Sequence, residues 1–233
     1  MSPSTIKITV AGPFACFTRP EAKVERVSYS IMTPSAARNI LDAICWRPEM
    51  RWVIVSLSVL KPVKFISILR NEVQNKISPI TVKKWITDPK AYEPLAAGVG
   101  PGSEGTQRHS LILKDVAYIV EAYPLVFEKT GDNNPRKYFA MMERRVEKGQ
   151  CFHRPALGCR EFAADFRLST SEDRPLPVTE NLGRMLYDIA FGPDGNQPAF
   201  FDAVLEDGVL NTRPETVLSE SQRREVLKCS YRR

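Results

Sequence analysis

Nowhere in the 233 residues do eighteen apolar residues run together, so no membrane-spanning helix is expected. The start, MSPSTIKITV, lacks a charged stretch followed by an apolar one, and no signal peptide is expected. Cysteine is sparse: Cys16, Cys45, Cys151, Cys159 and Cys229 are scattered, odd in number and without a C-x-x-C pair. That argues against a disulfide framework and for reduced thiols in a cytoplasm. The pattern G-x-x-x-x-G-K-[ST] is absent, and the glycine-dense AAGVGPGSEG precedes a strand, which excludes a nucleotide P-loop. Internal repeats and low-complexity tracts are missing too. Asp115, Glu121, Asp165 and Asp188 show no spacing diagnostic of a two-metal nuclease. Cys151, His153 and Cys159 supply only three local ligands at no standard zinc spacing. No metal or cofactor is expected.

What is abundant is positive charge. The formal net charge is +6 and the pI is near 9.1, which favours an anionic partner, nucleic acid first. Basic residues recur beside aromatic ones: Trp46 with Arg47, then Lys61 and Lys64, then Lys83, Lys84 and Trp85. Arg136, Lys137 and Tyr138 continue the series, followed by Arg144 and Arg145. Lysine and arginine suit phosphates, and rings or guanidinium planes suit stacked bases.

Periodicity gives the order of elements. IKITVAG alternates as a strand. Thr33 and Pro34 cap a helix whose Ala37, Ile40, Leu41 and Ile44 share a face, with Pro48 as its stop. RWVIVSLSVLKPV is a second strand. Residues 64–105, broken by prolines, read as a long irregular excursion. TQRHSLILKDVAYIVEAYPLVF is a third strand. Asn134 and Pro135 open a second helix with Phe139, Met142 and Val146 on its stripe, ending at Gly149. GCREFAADFRL is a fourth strand. The order β-α-β-β-α-β predicts an α+β, ferredoxin-like fold of the RRM type, whose open sheet can bind single strands. This domain spans 1–168 with the 64–105 insertion. Residues 169–233 read as a smaller β-rich extension, joined through the polar STSEDRPLPVTENLG and ending in a frayed helix.

Five motifs occur in a fixed order: a glycine after the first strand, VSYSIMTPSAARNILDAICWRP, VLKPV, QRHSLILKDVAYIVEA and LGCREF. In this combination the chain resembles the CRISPR-associated proteins of the repeat-associated (RAMP) superfamily that process precursor CRISPR RNA in type I-C systems. The resemblance covers residues 5–168 by motif and the remainder by layout. It implies an endoribonuclease that cuts CRISPR repeat RNA without metal and stays bound to the 5′ handle of the guide RNA. It also implies partners, the large and backbone subunits of an effector complex, and no membrane. The alternative is a guide-RNA handle-binding subunit that does not cut. That alternative carries a weak metal-dependent, non-specific activity on double-stranded DNA, drawn from scattered acids.

Cleavage by the RNA's own 2′-hydroxyl needs a base, an acid for the leaving 5′-oxygen, and a cation for the phosphorane. In the related nucleases a Tyr precedes the Trp that ends the first helix, where this chain has Cys45. A His often stands where this chain has Tyr123. Both departures bear on catalysis. His109 is the third candidate, sharing strand parity with Tyr123, while Lys114 falls on the opposite face. Arg108, Lys114, Trp46, Arg47, Lys61, Lys64, Arg136 and Lys137 are the candidate RNA contacts.

Overall fold

The computed structural model describes residues 3–22, 24–73, 77–92, 105–127, 133–192 and 195–228. The glycine-dense stretch ahead of Gly105 and Cys229 lie outside the described residues. The fold is mixed α/β, with one large antiparallel sheet and few helices. Strand β1 (Ile6–Ala15) turns Ile6, Ile8 and Val10 inward and Lys7 and Thr9 to the other face. Helix α1 (Pro34–Ile44) starts where the Thr33 hydroxyl accepts from the Ala36 amide and Pro34 presets the first turn. Its face of Ala37, Ile40, Leu41 and Ile44 is fully covered. The helix ends at Ile44, four residues before Pro48. Cys45 takes extended backbone there, and its carbonyl accepts from Trp52 Nε1 at 2.7 Å.

Strand β2 (Met50–Val59) pairs with the far half of β4 (Gly105–Val126), a single strand of 22 residues. β1 borders that same half on its other side, from Ile6↔Ala122 to Ala15↔Leu113. The near half of β4 pairs instead with β3 (Phe65–Val73), and the two form an antiparallel arm. The excursion expected over 64–105 is therefore regular in part: it holds β3 and helix α2 (Pro79–Thr87). β3 does alternate, yet Phe65, Leu69 and Val73 remain exposed, so its pattern carries no signature of a buried face.

Helix α3 (Pro135–Glu147) is capped by Asn134, whose side chain accepts from the Lys137 amide, and buries Tyr138, Met142 and Val146. The fourth strand is shorter than its alternation suggested: β5 covers only Asp165–Leu168. Residues 158–164 turn instead, because Gly158 sits at φ +86°. A Cβ there would fall 1.9 Å from the Cys16 carbonyl oxygen, so no other residue fits this close approach.

The C-terminal strands β6 (Glu180–Gly192), β7 (Gly195–Glu206) and β8 (Val209–Asn211) extend the same sheet, in the order β5-β1-β4-β2-β8-β7-β6. Asp207 and Gly208, both at positive φ, make the two-residue turn that fixes the β7–β8 register. Helices α4 (Pro214–Val217) and α5 (Glu220–Val226) close the chain, the latter with a Ser219–Gln222 capping box. Among the described residues no helix is long and apolar enough to cross a membrane.

Candidate nucleic-acid interface

The arm meets the packed sheet at a kink in β4. Asp115 stands there at φ +54°, and the in–out alternation slips around it: Ile112 and Leu113 are both buried, Lys114 and Asp115 both exposed. Lys61 approaches Asp115 across the gap between β2 and β3, its Nζ 2.6 Å from Oδ1. The Lys114 amide donates to the Lys64 carbonyl at 2.8 Å. Lys61's hydrogen bond, with the nearby charges of Lys64 and Lys114, holds the Asp115 carboxyl below its usual range. Three lysines thus converge on one carboxylate, leaving an excess of positive charge at the root of the arm. Three of the expected RNA contacts are brought together.

Arg108 lies farther out, opposite Arg70 of β3, and His109 is exposed beside it, opposite Leu69. The expected pairing of His109 with Tyr123 does not form. Positions 109 and 123 lie in one unbroken strand, so fourteen residues, about 45 Å of extended chain, separate them. Parity put them on one face; length keeps them from one phosphate.

Tyr123 is half-buried opposite Val53, and it lines a cavity of about 540 Å³ with Pro135, Arg136 and Phe139. Burial, and then the Glu215 carboxylate, push its hydroxyl above the ordinary phenol value, against the opposing charge of Arg213. The group is an O–H donor at neutral pH, not a phenolate. Lys137, on the same helical turn as Arg136, places its ammonium over the Tyr138 ring at 5.6 Å.

Cys45 is sealed from solvent, and burial pushes its thiol up. A neutral, covered thiol reaches no substrate, so this expected catalytic position is filled by a structural side chain. Next to it Trp46 is half-buried and Arg47 exposed, its Nη1 donating to the Trp46 carbonyl at 3.2 Å. Arg145 donates to the Ile44 carbonyl and ties α3 to the end of α1.

Sequence reading missed two arrangements that only the fold assembles. Asp188 accepts from Arg38 Nε at 2.8 Å and Arg51 Nη2 at 2.6 Å, joining α1, β2 and β6 at sequence separations no local pattern reveals. Asp173 accepts from Arg167 and from the Thr9 hydroxyl at 2.9 Å, and so fastens the 169–174 segment over the sheet. A cavity of about 450 Å³ opens beneath it, lined by Thr9, Lys61, Ala117, Arg167, Asp173 and Arg174. No group of three or more His, Cys, Asp or Glu able to hold a metal occurs among the described residues.

Residues 5–226 match the family model described as CRISPR-associated protein (Cas_Cas5). The chain belongs to this family. The chain is similar to a protein from Mannheimia succiniciproducens named CRISPR pre-crRNA endoribonuclease Cas5d. That relative is 45% identical over 218 residues, covering 90% of this chain and 95% of its own. A protein of the same name from Thermus thermophilus is 42% identical over 193 residues, covering 83% of this chain and 76% of its own. The crystal structure of a CRISPR-associated protein, 23% identical, superposes with a TM-score of 0.61 over 89% of this chain and 91% of its own. It is similar in fold. Cas5 membership accords with the motif resemblance and with the basic surface assembled at the arm.

Proposed function

We propose that the chain cuts CRISPR repeat RNA and stays on the 5′ handle of the guide RNA. It then serves in the cytoplasm as a subunit of a type I-C effector complex with large and backbone subunits. The observation that carries this reading is the 45% identity, over nearly all of both chains, to a protein named a pre-crRNA endoribonuclease. We read β5-β1-β4-β2 with α1 and α3 as the ferredoxin-like, RRM-type unit of residues 1–168, and residues 169–233 as its β-rich extension. The lysines at the arm's root, with Arg108 beyond them, suit a phosphate backbone, because each neutralised phosphate releases condensed counterions.

The cut itself needs no cofactor in this account. The 2′-hydroxyl gives its proton to a solvent water and attacks the adjacent phosphorus, the P–O5′ bond breaks, and a 2′,3′-cyclic phosphate and a 5′-hydroxyl remain. Tyr123, protonated at neutral pH, suits the acid that protonates the leaving 5′-oxygen, with Arg136 as the nearby cation for the phosphorane. Incubation of repeat RNA with the protein in EDTA checks this. One cut per repeat with a cyclic-phosphate end is expected; strict dependence on magnesium would overturn it.

A second reading has its own observation. Cys45 is covered and His109 stands far from Tyr123, so two of the three candidate catalytic residues do not join the third. That favours a handle-binding subunit that does not cut, and on that reading acidic residues give weak metal-dependent activity on double-stranded DNA. Binding of repeat RNA without any cleaved product would decide for it.

A further inference from the structure

The turn forced by Gly158 does more than shorten β5. It lays Leu157–Cys159 against Cys16, whose amide donates to the Leu157 carbonyl at 3.0 Å. Cys159 Sγ then lies 3.9 Å from the Cys16 carbonyl oxygen and 3.4 Å from Arg26 Nη1. Cys159 is half-buried, while Cys16 is only 1% exposed, with the Thr18 hydroxyl 3.5 Å from its sulfur. Both are free thiols. Arg26 also faces Glu72 at 3.5 Å and Glu161 at 3.8 Å, and Arg70 of the arm pairs with Glu161 as well. The sulfur chemistry is thus polarised: one accessible sulfur beside a guanidinium, one covered sulfur behind it.

We propose that Cys159 and Cys16 form a peroxide-reactive thiol pair, in which Cys159 attacks and Cys16 resolves. None of the RNA-handling residues uses either sulfur. Cys159 thiolate attacks hydrogen peroxide; the O–O bond breaks, an S–O bond forms and hydroxide leaves. The Cys16 sulfur then attacks the sulfenic sulfur; an S–S bond forms and the S–O bond breaks. The proton from Cys16 leaves with the departing oxygen as water. Two thiols are oxidised and one peroxide is reduced to two waters. Accessible thiolates beside a resolving thiol are the ones that oxidise in this way. The neighbouring Cys16, and then Arg26, lower the Cys159 thiol, while Cys159 and burial raise that of Cys16. The attacking sulfur is therefore the more readily ionised of the two.

The test uses the full chain, freed of reductant and treated with hydrogen peroxide without RNA, so its failure would leave the endoribonuclease reading untouched. Peptide mapping is expected to find a Cys16–Cys159 disulfide before any change at Cys151. In Cys16→Ser, oxidation should stop at a Cys159 sulfenic acid that dimedone traps. In Arg26→Gln the rate at pH 7 should fall several-fold, and the gap should close above about pH 9, where an ordinary thiol is ionised too. The parent rate should hold to lower pH than that of Arg26→Gln. Oxidation at Cys151 as fast as at Cys159, or no dimedone adduct at Cys159 in Cys16→Ser, would overturn the proposal.

Discussion

Strand β4 is one element with two lives. Beyond Leu113 it is clasped by β1 and β2, and Val120 and Ala122 are wholly covered. Before Leu113 its ladder partner is β3, and Leu111 on β4 and Leu69 on β3 remain 38% and 51% exposed. The first region is where stability resides; the second offers its residues to something else. Lys61, Lys64 and Lys114 collect where the two meet, beside Asp115 with its positive φ, where the adjacent Lys114 and Asp115 are both exposed.

The largest effect expected on the packed side comes from Asp188→Ala. Arg51 would lose its carboxylate and Arg38 would keep only Asp42, their side chains being only 11% and 13% exposed. About 3–5 kcal/mol of stability should be lost, read as a lower denaturant midpoint. Burial alone would raise the Asp188 carboxyl, but Arg38 and Arg51 outweigh it and hold the group below its usual value. Its contribution is therefore complete above the unfolded value, about 3.9, and is lost as pH falls through the folded one. An acid titration of the parent should show this loss, and the variant should lack it.

A paired substitution sharpens the contrast between the halves. Leu57→Ala on β2, wholly covered, should cost about 2–5 kcal/mol. Leu69→Ala on the arm should stay within about 0.5 kcal/mol. Equal losses in denaturant melts would mean the arm is packed as tightly as the sheet.

On chemistry, Tyr123→Phe should slow cleavage about a hundredfold if its proton reaches the leaving oxygen. RNA affinity should change little, since the ring remains. His109→Ala should then cut at the parental rate, because about 45 Å of strand lies between the two. Large losses of rate in both, with binding intact, would contradict that separation.

The smallest effects belong to the lysines. Lys64→Ala and Lys114→Ala should each weaken repeat-RNA binding a few-fold and reduce the salt slope by roughly one. Melting should be unchanged. An affinity flat from low to high salt would remove the electrostatic account.

The packed half was legible in the sequence and the arm was not, for one physical reason. Alternation and caps announce an element when one face is buried: IKITV, Thr33 with Pro34, and Asn134 with Pro135 all found their places. β3 alternates with nothing to bury against, so prolines around it outweighed its pattern. Gly158 ended the fourth strand early because the need for its positive φ comes from Cys16, distant in sequence. At the site, Lys61, Lys64 and Lys114 could be named singly, but their convergence depends on a hairpin register. Cys45 read first as a buried helix residue and second as an acid or base, and its complete burial fits the first reading. The nearness of Cys159 to Cys16 and Arg26 left no trace in any local spacing.

The central claim is that the RNA's own 2′-hydroxyl does the cutting on this protein. Repeat RNA carrying a single 2′-deoxyribose on the 5′ side of the scissile phosphate tests it directly, with EDTA present throughout. Binding should equal that of the all-ribose RNA, and cleavage at that phosphate should vanish. Cleavage of the deoxy substrate at the parental rate would contradict the account.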